Sequence, residues 1–233
     1  AQGQLTVSSA ATDIGTGTYT VMTQIAADAA GVRVQDITFV LGDSSLPTAP
    51  LQGGSFTVSS VGSAVRQACL VLRSKVLEHA RNTYPELANT PTEQIVFADG
   101  YLYAGSLCLA LGDIVASAAG AGFEVQIDAE PGARRQLFST ATHSAVFVEV
   151  HVDEDLGTIR VTRVVSAVAA GRVVNPKTAA SQILGGVVWG VGMALHEEAL
   201  TDHRLGRIVN HDLAQYHIPV NADIGDIEVI FVE

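Results

Sequence analysis

Apolar and polar positions alternate over Leu5-Thr6-Val7-Ser8-Ser9, the two-residue period of a strand. A tight turn follows at Asp13-Ile14-Gly15-Thr16-Gly17. Helical spacing takes over from Thr18 to Ala30, with Val21, Ile25 and Ala29 on one face and Gly31 as a C-terminal stop. Ile37 to Leu41 reads as the next strand. Two prolines and Gly53-Gly54 make Ser44 to Ser55 a loop. A long helix is predicted from Thr57 to Arg81, with small residues at its start (Ser59, Ser60, Gly62, Ser63, Ala64) that let another group approach closely. Asn82 to Pro91, polar and proline-containing, reads as a linker.

The pattern then changes. Ile95 to Phe97 and Tyr101 to Ala104 form a hairpin about Asp99-Gly100. A short helix is expected over Leu109 to Ala119, a strand over Phe123 to Ile127 and a loop over Pro131 to Gln136. Ser144 to Val152 and Thr158 to Val168 make a second hairpin, closed by Asp153-Glu154-Asp155-Leu156-Gly157, a solvated turn. After a turn at Gly171 to Asn175, Pro176 opens a helix running to about Leu200. Gly185, Gly186, Gly190 and Gly192 each cost that helix about 1 kcal/mol in propensity, which suggests crowding by another element or a ligand. A turn at Thr201 to Gly206 precedes a strand-rich ending. Hairpins interrupt the strand–helix alternation, so the fold class is α+β, with mixed sheets and packed helices. Three times a strand leads through a glycine-containing turn into a small-residue helix, a start that suits anions.

Composition narrows the function classes. Of 233 residues 48% are hydrophobic, enough for a substantial core. Only 16% are charged, so part of the surface is expected to lie under further chain or partner subunits. A net charge of −11 excludes a nucleic-acid backbone as partner, while leaving room for one small phosphate held by amides and a few basic residues. Cys69 and Cys108 are the only cysteines, too few for an iron–sulfur cluster or a structural zinc; two small buried thiols are expected, with a single disulfide between them as the alternative. His143, His196, His211 and His217 lack metal-ligand spacing, and His196-Glu197-Glu198 lacks the second histidine of a zincin. Glu197 and Glu198 are expected to end a helix, and Trp189 to lie in the core. No run of about 18 apolar residues exists, so no membrane span is predicted. No signal peptide is read at the start, and both ends look like cuts through a larger protein.

Three segments carry a resemblance. The first is Asp13-Ile14-Gly15-Thr16-Gly17-Thr18-Tyr19-Thr20. The second is Gln52-Gly53-Gly54-Ser55-Phe56 leading into Ser59-Ser60-Val61-Gly62-Ser63-Ala64. The third runs from Gly171-Arg172-Val173-Val174-Asn175-Pro176-Lys177 through Gln182 to Gly185-Gly186-Val187-Val188-Trp189-Gly190, Gly192 and Glu197-Glu198, with Tyr216, Pro219 and Asp223 beyond. In this order they resemble the molybdopterin-binding subunits of the molybdenum hydroxylases, the aldehyde oxidase and xanthine dehydrogenase family. The match is weakest from Thr83 to Arg135.

The resemblance implies that Gly15, Thr16 and Gly17 face the cofactor, where glycine permits close backbone approach. Gly54 would sit under the molybdenum, and Ser55 would donate to a phosphate or pterin group. Arg172, Val173, Val174, Asn175, Pro176, Lys177 and Thr178, with Gln182, would hold the dinucleotide end, two cations beside a helix start making a phosphate site in an acidic protein. It assigns no catalytic residue and no metal ligand among this chain's side chains. Thr16 and Trp189 stand where many members carry glutamine, which points to the bacterial aldehyde oxidase branch and molybdenum-molybdopterin cytosine dinucleotide. The implied reaction is hydroxylation of aldehydes or N-heterocycles with water as oxygen source, with a glutamate as base. The implied partners are an iron–sulfur subunit and an FAD subunit. Residues 1–82 would form a first cofactor-binding half and 92–233 a second, ending before the family's catalytic-glutamate segment. The 233-residue chain alone is then expected to be inactive and cofactor-free. A non-catalytic assembly domain and a nucleotide-binding protein without molybdenum are the rival readings. The compartment, cytoplasm or periplasm, is left open.

Overall fold

A computed structural model describes residues 4–118, 122–130 and 137–232. The chain forms two compact units, Ala1–Ala133 and Arg134–Glu233, and its helices and strands make the expected α+β fold.

The first unit opens with β1 (Leu5–Ser9), α1 (Thr18–Ala30), β2 (Ile37–Leu41) and α2 (Thr57–Thr83). β1 and β2 pair in parallel from Leu5 with Ile37 to Ser9 with Leu41. Parallel neighbours need a crossover, which α1 supplies. Gly31 ends α1 in the left-handed conformation at φ 72° and returns its N–H to Ala27. Met22, Ala26 and Ala29 of α1 pack with Val61, Val65 and Cys69 of α2 over Phe39 of β2. A Cβ at Gly62 would lie 2.8 Å from Ile25 Cδ1, so the small start of α2 is occupied by α1. Farther along, Arg73 Nη1 donates to the Ala29 carbonyl at 3.2 Å. Both contacts advance in the same sense, so α1 and α2 lie side by side with their starts at one end.

The rest of the unit is a meander, β3 (Ile95–Ala98), β4 (Tyr101–Ala104) and β5 (Leu107–Ala110), followed by the short α3 (Leu111–Ala116). A second core joins Val76, Leu77 and Ala80 of α2 to Leu87, Phe97, Leu102 and Ile114. Four expectations are corrected here. Residues 82–91 are no linker: α2 runs on to Thr83, Leu87 is fully buried, and Arg81 Nη2 donates to the Thr90 carbonyl at 2.6 Å. The boundary between the two compact units falls at 133/134. Leu107 to Ala110 is a strand where a helix start is expected, because an apolar run beside β4 gains a ladder there. Phe123 to Ile127 has a strand's alternation but no strand partner among the described residues, and takes no regular structure. Cys108 is exposed on β5 where a buried thiol is expected, because β5 is an edge strand, while Cys69 is buried as expected and both are free. The loop expected over Pro131 to Gln136 lies outside the described residues, as does Ala119.

The second unit is a three-stranded sheet in the order β10-β7-β6, built from β6 (His143–Asp153), β7 (Thr158–Ala169) and β10 (Asp226–Phe231). β6 and β7 form the expected hairpin, with an irregularity between Glu149 and Val150. In its turn Asp153 Oδ1 accepts from the amides of Asp155 and Leu156 at 3.0 and 2.9 Å. β10 joins β7 in parallel, and Arg163 Nη2 reaches Glu228 Oε2 at 2.9 Å. α4 (Pro176–Leu195) contacts both β7 and β10, and a small ribbon of β8 (Thr201–Asp202) and β9 (Arg207–Ile208) follows it.

α4 stops at Leu195, short of the expected Leu200, because the amides of His196 and Glu197 both return to the Gly192 carbonyl. Glu197 and Glu198 therefore lie beyond the helix. Of its four glycines only Gly192 is crowded, by Glu197 and Pro219; a Cβ at Gly185, Gly186 or Gly190 would meet nothing within 4 Å. Trp189 is 76% exposed rather than core. Among the described residues α4 alone is long and apolar enough to cross a membrane by length and composition, at 20 residues and a mean hydropathy of 1.4, a stretch the sequence reading passed over.

Candidate functional site

Because β1 and β2 are parallel, the loops that leave them emerge at the same edge. Those loops are tied together: the Ala10 amide donates to the Pro47 carbonyl, and the Gly42 amide to Ala11, each at 2.8 Å. One loop carries Gly15, Thr16 and Gly17; the other carries Gly54 and Ser55. The structure thus brings the first two candidate segments to one end of the first unit. Open α/β units place ligands at that carboxyl edge of their strands.

The first turn is built around a carboxylate. Asp13 Oδ1 accepts from the Gly15 amide at 2.9 Å and Oδ2 from the Tyr19 amide at 3.2 Å. Burial pushes the Asp13 carboxyl up, but the amides of Gly15, Tyr19, Gly17 and Thr18 outweigh it and hold the group below its ordinary value. Gly15 and Gly17 adopt φ of 102° and 83°, conformations that side chains resist. A Cβ at Gly15 would meet nothing within 4 Å, so the turn presents bare backbone to open space. Thr16 Oγ1 lies 3.4 Å from the Thr18 hydroxyl.

The second turn is strained. Gly54 and Ser55 are both left-handed, at φ 60° and 57°. For serine this costs about 1–2 kcal/mol. A Cβ on Gly54 would also press on the Phe56 ring at 3.2 Å. Phe56 holds the cap position of α2 and supplies no side-chain acceptor. Ser59 and Ser60 turn their hydroxyls back to the Phe56 carbonyl at 2.9 and 2.8 Å. The first amides of α2 are therefore uncapped donors beside an exposed Ser55 hydroxyl.

The third segment lies in the second unit. Asn175 caps α4, its Oδ1 accepting from the amides of Lys177 and Thr178 at 3.1 and 3.2 Å. Pro176 has no amide to offer, and the Ala179 amide returns to Asn175. The start of α4 is thus satisfied from within, and an anion there meets side chains: exposed Arg172, Lys177 and Gln182, and half-buried Thr178. Val173 and Val174 are half-buried beside them. Beyond the helix Tyr216 donates its hydroxyl to Glu197 Oε2 at 2.9 Å, which raises the Tyr216 pKa and ties the 213–223 stretch to the end of α4.

Sequence reasoning quoted Asp13 without giving it a role. The signal was present: an aspartate two residues before a glycine, at a helix start. The donor set at the edge of the first unit, with hydroxyls, uncapped amides and bare glycine backbone, fits an anionic, hydrogen-bonding group such as a molybdopterin, and the two exposed cations at the start of α4 by themselves suit a phosphate. Among the described residues no cluster of three metal-ligating side chains exists.

Comparison with known proteins agrees with this chemistry. The model of the molybdopterin cofactor-binding domain matches residues 1–225, and the chain belongs to that family. The aldehyde oxidoreductase molybdenum-binding subunit PaoC of Escherichia coli K12 is 38% identical over 231 residues, covering 99% of this chain and 30% of that protein. The putative xanthine dehydrogenase molybdenum-binding subunit XdhA of Escherichia coli K12 is 28% identical over 243 residues, covering 99% of this chain and 31% of that protein. The chain thus spans less than a third of these relatives' length. Quinoline 2-oxidoreductase from Pseudomonas putida 86 shares the fold, with a TM-score of 0.78 at 24% identity over 100% of this chain and 30% of the other.

Proposed function

We propose that this chain is the molybdopterin-holding part of an oxidoreductase that hydroxylates aldehydes, or N-heterocycles of the xanthine type, with water as the oxygen source. The observation that carries the reading is the shared edge after β1 and β2. There the bare backbone at Gly15 and the strained Gly54-Ser55 turn lie on hydrogen-bonded loops, next to the uncapped start of α2. Strain of this kind persists where the surroundings over-determine it, and it concentrates at ligand sites.

In this reading Gly15, Thr16, Gly17, Gly54 and Ser55 hold the pterin, and Arg172 to Thr178 with Gln182 hold its dinucleotide. The cofactor, when bound, supplies the two-electron redox chemistry. The chain's own residues bind and orient it: glycine admits it, the Ser55 hydroxyl and the α2 amides donate to it, and Arg172 and Lys177 neutralise its phosphates. Thr16, in a chain 38% identical to an aldehyde oxidoreductase subunit, favours the cytosine-dinucleotide form and an aldehyde substrate. Iron–sulfur and FAD subunits complete the proposed assembly.

Metal and pterin analysis of the full-length protein, co-expressed with its genomic neighbours, tests this. Molybdenum with a cytosine-dinucleotide pterin is the expected result. An intact complex without molybdenum, made in cells with working cofactor synthesis, would overturn the reading in favour of an assembly domain.

A further inference from the structure

We propose that Asp13 is a positioning residue for the cofactor-facing turn, its carboxylate setting the path of Gly15-Thr16-Gly17. The inference rests on the molybdopterin reading above. Gly17 occupies the cap position of α1 in the left-handed conformation and has no side chain to cap with. The cap comes instead from upstream. Asp13 reaches across the turn to the Gly15 amide with one oxygen and to the Tyr19 amide with the other.

Two bonds to opposite sides of the turn fix it more firmly than one end cap would. They leave the Gly15 face open and the Thr16 hydroxyl beside Thr18. Among the described residues no cation pairs with Asp13, so in a chain of net charge −11 this carboxylate is held by amides alone. Two glycines at positive φ flanking Thr16 would otherwise make the turn a permissive stretch of backbone. The carboxylate removes the freedom the glycines introduce. A turn held this way meets a bulky ligand without an ordering cost at the moment of binding.

The test compares wild type, Asp13→Ala and Asp13→Asn in the full-length protein, co-expressed with its neighbours and with cofactor synthesis. Molybdenum is measured by mass spectrometry, pterin by fluorescence after oxidation, and folding by circular dichroism and thermal melting. Asp13→Ala is expected to lower pterin content about five-fold, the factor that corresponds to the roughly 1 kcal/mol lost with such a cap. Asp13→Asn keeps an oxygen for the Gly15 amide and is expected to restore more than half of the loss at an unchanged spectrum. That rescue separates positioning from a general loss of fold. An Asp13→Ala protein as fully loaded as wild type overturns the inference, and so does Asn depletion as deep as that of Ala. Wild type without pterin fails the molybdopterin reading itself, and this inference falls with it.

Discussion

The two units bury their apolar residues very differently. In the first, Met22, Ala26, Ala80, Leu87, Leu102 and Ile114 are all at 0% exposure. In the second, every residue of β6 is exposed, including Phe147 at 69% and Val152 at 62%, and buried apolar side chains are few, Val164, Val168 and Val191 among them. The first unit's sequence is explained by its own contacts. The exposed valines of β6 and Gly185, Gly186 and Gly190 of α4 are not, since they face open space among the described residues. A surface so apolar is the kind that other chain or subunits cover. Substitutions of equal chemistry should therefore differ sharply in cost between the units, and the following measurements test that contrast.

Gly31→Val should be the most damaging. Gly31 sits at φ 72°, and a Cβ there runs into the Phe97 carbonyl, backbone that cannot swing aside. The left-handed penalty and the overpacking together come to about 2–5 kcal/mol. Urea unfolding of the chain reads this as a collapse of the midpoint, and a near-native midpoint would mean the two cores of the first unit are loosely joined.

Leu102→Ala comes next. Leu102 is fully buried in the second core, and its truncation should cost about 3 kcal/mol, within the range for buried leucines. The matched change in the other unit, Val152→Ala on exposed β6, should cost under about 0.5 kcal/mol. Equal costs would break the comparison.

Asp13 sharpens it through pH. Its pKa lies below the ordinary value in the fold, so the stability it contributes is present in full above the unfolded pKa. That stability is lost as pH falls through the depressed folded value. Asp13→Asn should lower stability near neutrality and flatten the acid limb below about pH 4, so that variant and wild type converge in acid. An unchanged acid limb would show that the turn gains nothing from the charge.

The turns at the candidate site were readable in the sequence because each rests on local rules. Asp13, Gly15 and Gly17 fix a turn by backbone chemistry, and Pro176 after Asn175 fixes a helix start. Gly31 marks the end of α1 in the same local way. What failed depends on partners distant in sequence. Leu107 to Ala110 becomes a strand because β4 lies beside it, and Phe123 to Ile127 does not because no described strand does. Leu87 turns a polar stretch into core because α2 and the meander close over it. Asn175 was readable as a helix start, but that its side chain fills the amides a phosphate would use needed coordinates.

The two cysteines offer a small-scale form of the same contrast, within one unit. Burial pushes the Cys69 thiol up to about 11, so it stays protonated and enclosed under α1 at neutral pH. Cys108 stands exposed on β5. Iodoacetamide at neutral pH should therefore label Cys108 in the folded chain and reach Cys69 only after denaturant is added, since the thiolate is the reactive form. The labelling ratio should approach one modification per chain without loss of the circular dichroism signal. Cys69 labelling in the native state at a comparable rate would mean that the α1–α2 seam opens on the timescale of the reaction. The loops at Gly15 and Gly54 hang from that same helix pair, so such opening would also loosen the edge on which the cofactor reading depends.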